Sequence, residues 1–157
     1  MPKLLKIFIN PDPVLRKKSE KITLDYIKSK AFSNLAADMT LTMEKKDGVG
    51  LAAPQIGKNI RLIVVNTKNG PISLINPKIT KKSLLKEWGE EGCLSVPNAY
   101  GEVKRHKKIS CEYIDINKNK KTIEAQGLMA RIIQHEINHL DGILFIDKAR
   151  NIKEIKL

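Results

Sequence analysis

The sequence predicts an α+β fold in which antiparallel β-sheets wrap around a central helix, with an N-terminal helix packed outside. Three observations lead there. Residues 32–45 and 126–142 each carry apolar side chains at three- and four-residue steps, the period of a helix with one buried face. Between them lie short β-branched or alternating runs separated by turn residues, the pattern of hairpin-joined strands. No strand–helix–strand repeat recurs, so parallel crossover architecture is not indicated. The 157 residues fit one domain, 1–157, and a chain of that size buries roughly 70% of the surface its unfolded form exposes.

Composition narrows the function classes. Apolar content of 41% with 29% charged residues is that of a globular chain rather than a disordered one. No apolar run approaches a membrane span, and the N-terminus has neither a cleavage site nor an Arg-rich transit pattern, so a cytoplasmic protein without a membrane partner is expected. Two cysteines, Cys93 and Cys111, are not expected to pair in that compartment. The formal charge of +12 suits an anionic partner such as a ribonucleoprotein surface. The lysines are nevertheless scattered, aromatics are scarce and no nucleic-acid motif is present, so no dedicated nucleic-acid site is expected.

Taken in order, residues 11–22 (PDPVLRKKSEKI) read as an extended, proline-punctuated arm. Phe32, Leu35, Ala36, Met39 and Met43 then mark the first amphipathic helix. Residues 47–57 (DGVGLAAPQIG) break it with Gly48 and Gly50; on their own they read equally as a plain turn or as a place where a ligand or backbone comes close. Residues 61–66 (RLIVVN) are a strand, and the KNGP turn leads to a second, short strand at 72–75. An extended segment ends near Trp88, a residue type that more often fills a core than performs chemistry. Residues 89–97 (GEEGCLSVP) read as an irregular loop with Cys93 and Leu94 turned inward. Residues 100–105 and 108–115 follow as strands, with Ile109, Cys111 and Tyr113 on one face, so Cys111 is expected to be a buried structural thiol. His106 is expected at the surface. Residues 117–121 form a turn, 122–125 a return strand, and ILFID can pack or pair before a charged tail that frays.

The chemistry concentrates in residues 134–142, QHEINHLDG. On a helix opened by Gln126 and Gly127 and closed by Gly142, His135 and His139 project from one face on successive turns and can grip one metal ion. Glu136 stands beside the first of them, close enough to act on a metal-bound water without being a ligand. A catalytic site needs a third protein ligand. Downstream, only Asp147 and Glu154 offer carboxylates, whereas the Cys93 thiolate is a soft ligand in a segment free to reach the helix. Without the histidine motif, Cys93 would read as readily as a buried free thiol.

DGVGLAAPQIG, EEGCLSVP and QHEINHLDG, in that order, resemble the three signature motifs of the peptide deformylases, which remove the formyl group from the N-terminal methionine of nascent polypeptides. PDPVLR, YGEVKR and ILFID extend the resemblance over nearly the whole chain. It implies that Cys93, His135 and His139 bind one divalent metal, Fe(II) natively with Zn(II), Ni(II) or Co(II) as substitutes, and that a metal-bound water attacks the formyl carbon. It also implies that Glu136 moves the proton while Gln55 and the Leu94 backbone N–H hold the oxyanion. Val49, Gly50 and Gly92 would line up an extended peptide by strand addition, and Leu128 and Ile132 would contribute to an apolar methionine pocket. The family motif usually has aspartate where this chain has Asn138; metal binding is expected to survive that change. The short tail speaks against a docking helix, leaving transient ribosome contact through the basic surface, and a monomer is expected. A metallopeptidase and a noncatalytic metal-stabilised peptide-binding module are the rival readings of the same helix.

Overall fold

The computed structural model describes residues 1–155. Two helices precede the sheets: α1 (Leu24–Ile27) and α2 (Lys30–Lys45), the latter capped by the Ser29 hydroxyl, which accepts from the Phe32 N–H at 3.1 Å. The N-terminal segment is strapped along α2, where the Lys3 N–H donates to the Asp38 carboxylate (2.8 Å) and the Leu5 N–H to the Thr42 hydroxyl (2.9 Å). Part of the arm expected at 11–22 is instead a 3₁₀ turn, Pro13–Arg16. Asp12 accepts from the Val14 N–H at 3.0 Å and Pro13 occupies the first helical position, which a fixed φ suits.

Strands β1 (Gly50–Ala52), β2 (Leu62–Thr67), β3 (Gly70–Lys82), β6 (Lys108–Ile114) and β7 (Lys120–Gln126) form one antiparallel sheet in the order β1-β2-β3-β6-β7. The second half of the hairpin is thus far longer than the short strand expected at 72–75. Asn76 and Pro77 look like a stop, but the strand absorbs them at a bulge where Asn76 takes φ 51° and the pairing register shifts between Ile75 and Lys78. The Asn76 side chain meets both the N–H and the carbonyl of Ile22, at 2.8 and 2.9 Å, so the irregularity is satisfied rather than left open.

Alternation along β2 explains how this sheet is covered on both faces. Leu62 and Val64 join Phe32, Met39, Met43 and Leu51 in the cluster beneath α2, while Ile63 and Val65 join Leu74, Ile133, Ile137 and Leu140 beneath α3 (Gly127–Leu140). As expected, Cys111 is fully buried, in the same cluster as Ile109 and Tyr113. Burial pushes its thiol up to about 11.

The second sheet has three strands, in the order β4 (Lys86–Cys93), β5 (Val96–His106), β8 (Arg150–Glu154). Two expectations change here. GEEGC is strand rather than irregular loop, its main chain laddered against β5 from Lys86 opposite His106 to Gly92 opposite Tyr100. The charged tail does not fray at once: Tyr100 pairs with Lys153 and Ala99 with Glu154. Trp88 is not core either; it is 40% exposed on the outer face of β4, with the Arg150 guanidinium 3.6 Å above its ring. The fold is therefore α+β, two antiparallel sheets around α3 with α2 outside.

Candidate metal centre

α3 carries the two histidines because its apolar stripe, Ile133, Ile137 and Leu140, locks one face onto the larger sheet and leaves the His135 and His139 face toward β4. Cys93 closes β4 directly opposite. The ligand atoms of Cys93, His135 and His139 all lie within 4.8 Å of one another, and Cys93 Sγ is 3.3 Å from His139 Nε2. An ion holding sulfur at about 2.3 Å and nitrogen at about 2.0 Å in tetrahedral geometry sets such atoms about 3.5 Å apart, so the donor set fits a single metal. The carboxylates further along the chain take no part: Asp147 is paired with Arg16 at 2.5 Å and Glu154 lies in exposed β8.

The surroundings pull the two imidazoles in opposite directions. Burial opposes a charge on His135, but the Glu136 carboxylate, the Cys93 sulfur and Glu91 outweigh it and carry its pKa up to about 10. His135 Nδ1 faces Glu91 Oε1 at 2.9 Å, which leaves Nε2 for coordination. Burial, with His135 and Arg105 adding to it, holds His139 well below its ordinary value and so neutral, the form a ligand requires. For Glu136, burial pushes the carboxyl up to about 7 against the pull of His135. Its Oε1 is buried without a hydrogen-bond partner among the described residues, in reach of chemistry but unused by the fold.

The remaining sequence candidates sit around the same cleft, a cavity of about 430 Å³. Gln55, from the 3₁₀ turn Ala53–Ile56, is anchored by accepting from the Ala52 N–H (2.9 Å) and points Nε2 at Ser95 Oγ (3.1 Å) and Cys93 Sγ (3.5 Å). Leu94 follows Cys93 in the tight turn into β5. Val49, Gly50, Gly92, Leu128 and Ile132 line the walls, with Val49 and Leu128 exposed at 53% and 67%. A Cβ on Gly50 would stand 2.7 Å from Glu136 Oε2, so only glycine lets the acid occupy its place. His106 lies outside this group, its Nδ1 2.7 Å from the Ser83 carbonyl.

Residues 4–154 match the polypeptide deformylase family. The chain belongs to that family. It is 46% identical to a protein named peptide deformylase 2 from Gloeobacter violaceus over 147 residues, covering 89% of this chain and 76% of that one. Among solved structures, a class I type b peptide deformylase from Acinetobacter baumannii superposes with a TM-score of 0.91 at 33% identity, over 93% of this chain and 99% of that one. The Synechococcus elongatus deformylase, in complex with actinonin, gives 0.88 at 39% identity, covering 94% and 79%.

Around this deformylase cleft lies a buried charged group that motif reading misses. Glu91, two residues before Cys93, accepts from Arg105 Nε and Nη2 (both 2.9 Å), from Arg131 Nη1 (2.7 Å) and from His135. Burial alone would raise the Glu91 carboxyl, but the Arg105 and His135 hydrogen bonds bring it down to about 2. Arg105 also donates through Nη1 to Asn138 Oδ1. One signal was available: Arg131 stands four residues before His135, on the same helical face.

Proposed function

We propose that this chain removes the formyl group from the N-terminal formyl-methionine of nascent polypeptides, releasing formate, with its chemistry at Cys93, His135, His139 and Glu136. The convergence of those three ligand atoms beside an unpartnered carboxylate oxygen is the observation that carries the reading. Cys93, His135 and His139 would hold a divalent ion, which would supply Lewis acidity and a water acidified toward neutrality. Glu136 accepts a proton from the attacking water as the new C–O bond forms at the formyl carbon, then delivers it to the departing amine nitrogen as the C–N bond breaks. Its raised carboxyl suits a group that must both take and return a proton near neutral pH. Gln55 Nε2 and the Leu94 N–H are the donors assigned to the carbonyl oxygen as it gains charge, each worth about 100-fold or more in turnover.

Val49, Gly50 and Gly92 are assigned to an extended substrate backbone, an interaction indifferent to side-chain identity, and Leu128 with Ile132 to the methionine side chain. Fe(II) is the proposed native ion, with Zn(II), Ni(II) or Co(II) able to replace it; a sulfur and two imidazoles accept all four. Anaerobic purification with metal analysis tests the choice. The net charge of +12 supports transient contact with the ribosome, and we assign a monomer acting in the cytoplasm. Among the described residues no helix is long and apolar enough to cross a membrane.

Formate release from formyl-Met-Ala-Ser is the direct test. Glu136→Gln should lower it by about 100-fold or more while the protein still binds metal. Turnover equal to that of the unaltered protein would overturn the role of Glu136. Cleavage of internal peptide bonds in a blocked peptide, without formate release, would favour a metallopeptidase instead.

A further inference from the structure

We propose that Arg131 and Asn138, working through Glu91 and Arg105, are positioning residues that set where the Cys93 sulfur stands against His135 and His139. The inference rests on the metal-binding reading above and extends it to side chains that touch neither metal nor substrate.

The metal ligands come from separate elements, so their spacing depends on how β4 seats on α3. Apolar packing contributes less to that seating than it does on the larger sheet: among the described residues the cluster beneath the smaller sheet has Ala99, Val103 and Phe145 as its buried members, with Cys93, Val96, Ile146 and Ala149 partly buried against them. Directional contacts take its place. Arg131 reaches across from α3 and donates to Glu91 Oε2 (2.7 Å), the Val103 carbonyl (2.8 Å) and the Glu87 carbonyl (2.9 Å), so one guanidinium holds a side chain and the backbone of β4 together with the backbone of β5. His135 meets Glu91 one turn later, and Asn138 reaches it through Arg105 most of a further turn on.

Glu91 is thereby held from three successive levels of the helix, and Cys93 lies two residues along the same strand. A one-residue slip of β4 would break every one of these bonds and carry the sulfur about 3.3 Å along the strand. Room is reserved for the arrangement: a Cβ on Gly89 would stand 2.7 Å from Arg131 Cζ, so this strand position must lack a side chain. Asn138 offers a neutral acceptor, so it orients Arg105 without competing with Glu91 for its charge. Fork geometry matters here more than charge, because a lysine could reach one of the Arg131 acceptors but not all three.

The test uses the whole metal-free protein titrated with Co(II), read by the thiolate-to-cobalt charge-transfer band, by the cobalt dissociation constant from chelator competition and by the melting temperature before metal is added. Arg131→Met should weaken cobalt binding about tenfold or more and shift or diminish the band, and Asn138→Ala should weaken it a few-fold. Arg131→Lys should recover only part of the loss. Leu74→Ala, in the cluster of the larger sheet, should lower the melting temperature while leaving the band and the dissociation constant near those of the unaltered protein. If Arg131→Met does not fold, Arg131→Lys and Asn138→Ala carry the decision. Cobalt bound by the Arg131 and Asn138 variants with unchanged affinity and an unchanged band would overturn the proposal, as would losses no larger than that of Leu74→Ala. An unaltered protein that binds no cobalt through its thiolate would overturn the metal centre itself, a distinct result seen before any variant is made.

Discussion

α3 meets the five-stranded sheet through Ile133, Ile137 and Leu140, which share a dry cluster with Ile63, Val65 and Leu74, and it meets the three-stranded sheet largely through Glu91, Arg105 and Arg131. The first contact is nondirectional and grows with the apolar area removed from water; side chains can be exchanged for others of similar volume at modest cost. The second is directional. Removing water from ions costs several kcal/mol each and returns little net stability even when paired, but the pairs tolerate only one arrangement. One side of the helix thus stabilises the fold, and the other specifies the distance between a strand-borne sulfur and two helix-borne imidazoles.

Breaking each side should expose that difference. The largest stability effect is expected at the hub: Glu91→Gln leaves two buried guanidinium groups with a neutral partner, and one-sided loss from a buried pair costs about 3–5 kcal/mol. Urea denaturation of the metal-free protein measures it, and a cost under about 1 kcal/mol would mean that the two arginines find water or other acceptors. Ile133→Ala, at a fully buried position in the apolar cluster, should cost about 2–5 kcal/mol in the same experiment. Only the Glu91 variant should also disturb metal affinity; equal disturbance by Ile133→Ala would erase the division between the two faces.

The smallest effect is expected where the smaller lobe is tied to the N-terminal segment by Arg16 and Asp147, side chains 42% and 37% exposed. The Arg16 hydrogen bond holds the Asp147 carboxyl below its ordinary value of 3.8, against a lesser opposing effect of burial. A carboxyl lowered by folding contributes stability that is present above its unfolded value and disappears as the pH falls through the lower folded one. The difference in stability between the unaltered protein and Asp147→Asn should therefore shrink as pH drops below about 4, and screening limits it to about 1 kcal/mol at neutral pH. Denaturation from pH 7 to 3 checks this; a difference that grows toward acid would contradict the sign.

The same contrast explains what could be read from the chain. α2, α3 and β2 follow from side-chain periodicity because each buries apolar residues against something equally apolar. GEEGC does not read as a strand, since glycines and glutamates are poor strand formers. Its place is secured by laddering to β5 and by arginines 14 and 40 residues from Glu91, which no local pattern displays. β8 escapes for a related reason: all five residues of RNIKE are exposed, so no buried apolar pattern marks them, and pairing with β5 makes them a strand. Trp88 misleads because an aromatic can stay partly exposed on a sheet when a guanidinium sits over its ring. The metal-ligand candidates were legible because their chemistry limits which residue types can serve, whereas the charged support behind them could have been built in many ways.

Arg131 has one more effect, on the outer rim of β4. By taking the carbonyls of Glu87 (2.9 Å) and Gly89 (3.5 Å), it occupies the main-chain acceptors to which a visiting strand would bind. The free length of this rim is therefore what lies beyond Gly89, the few positions nearest the sulfur, and the substrate backbone contacts proposed at Gly92 fall within it.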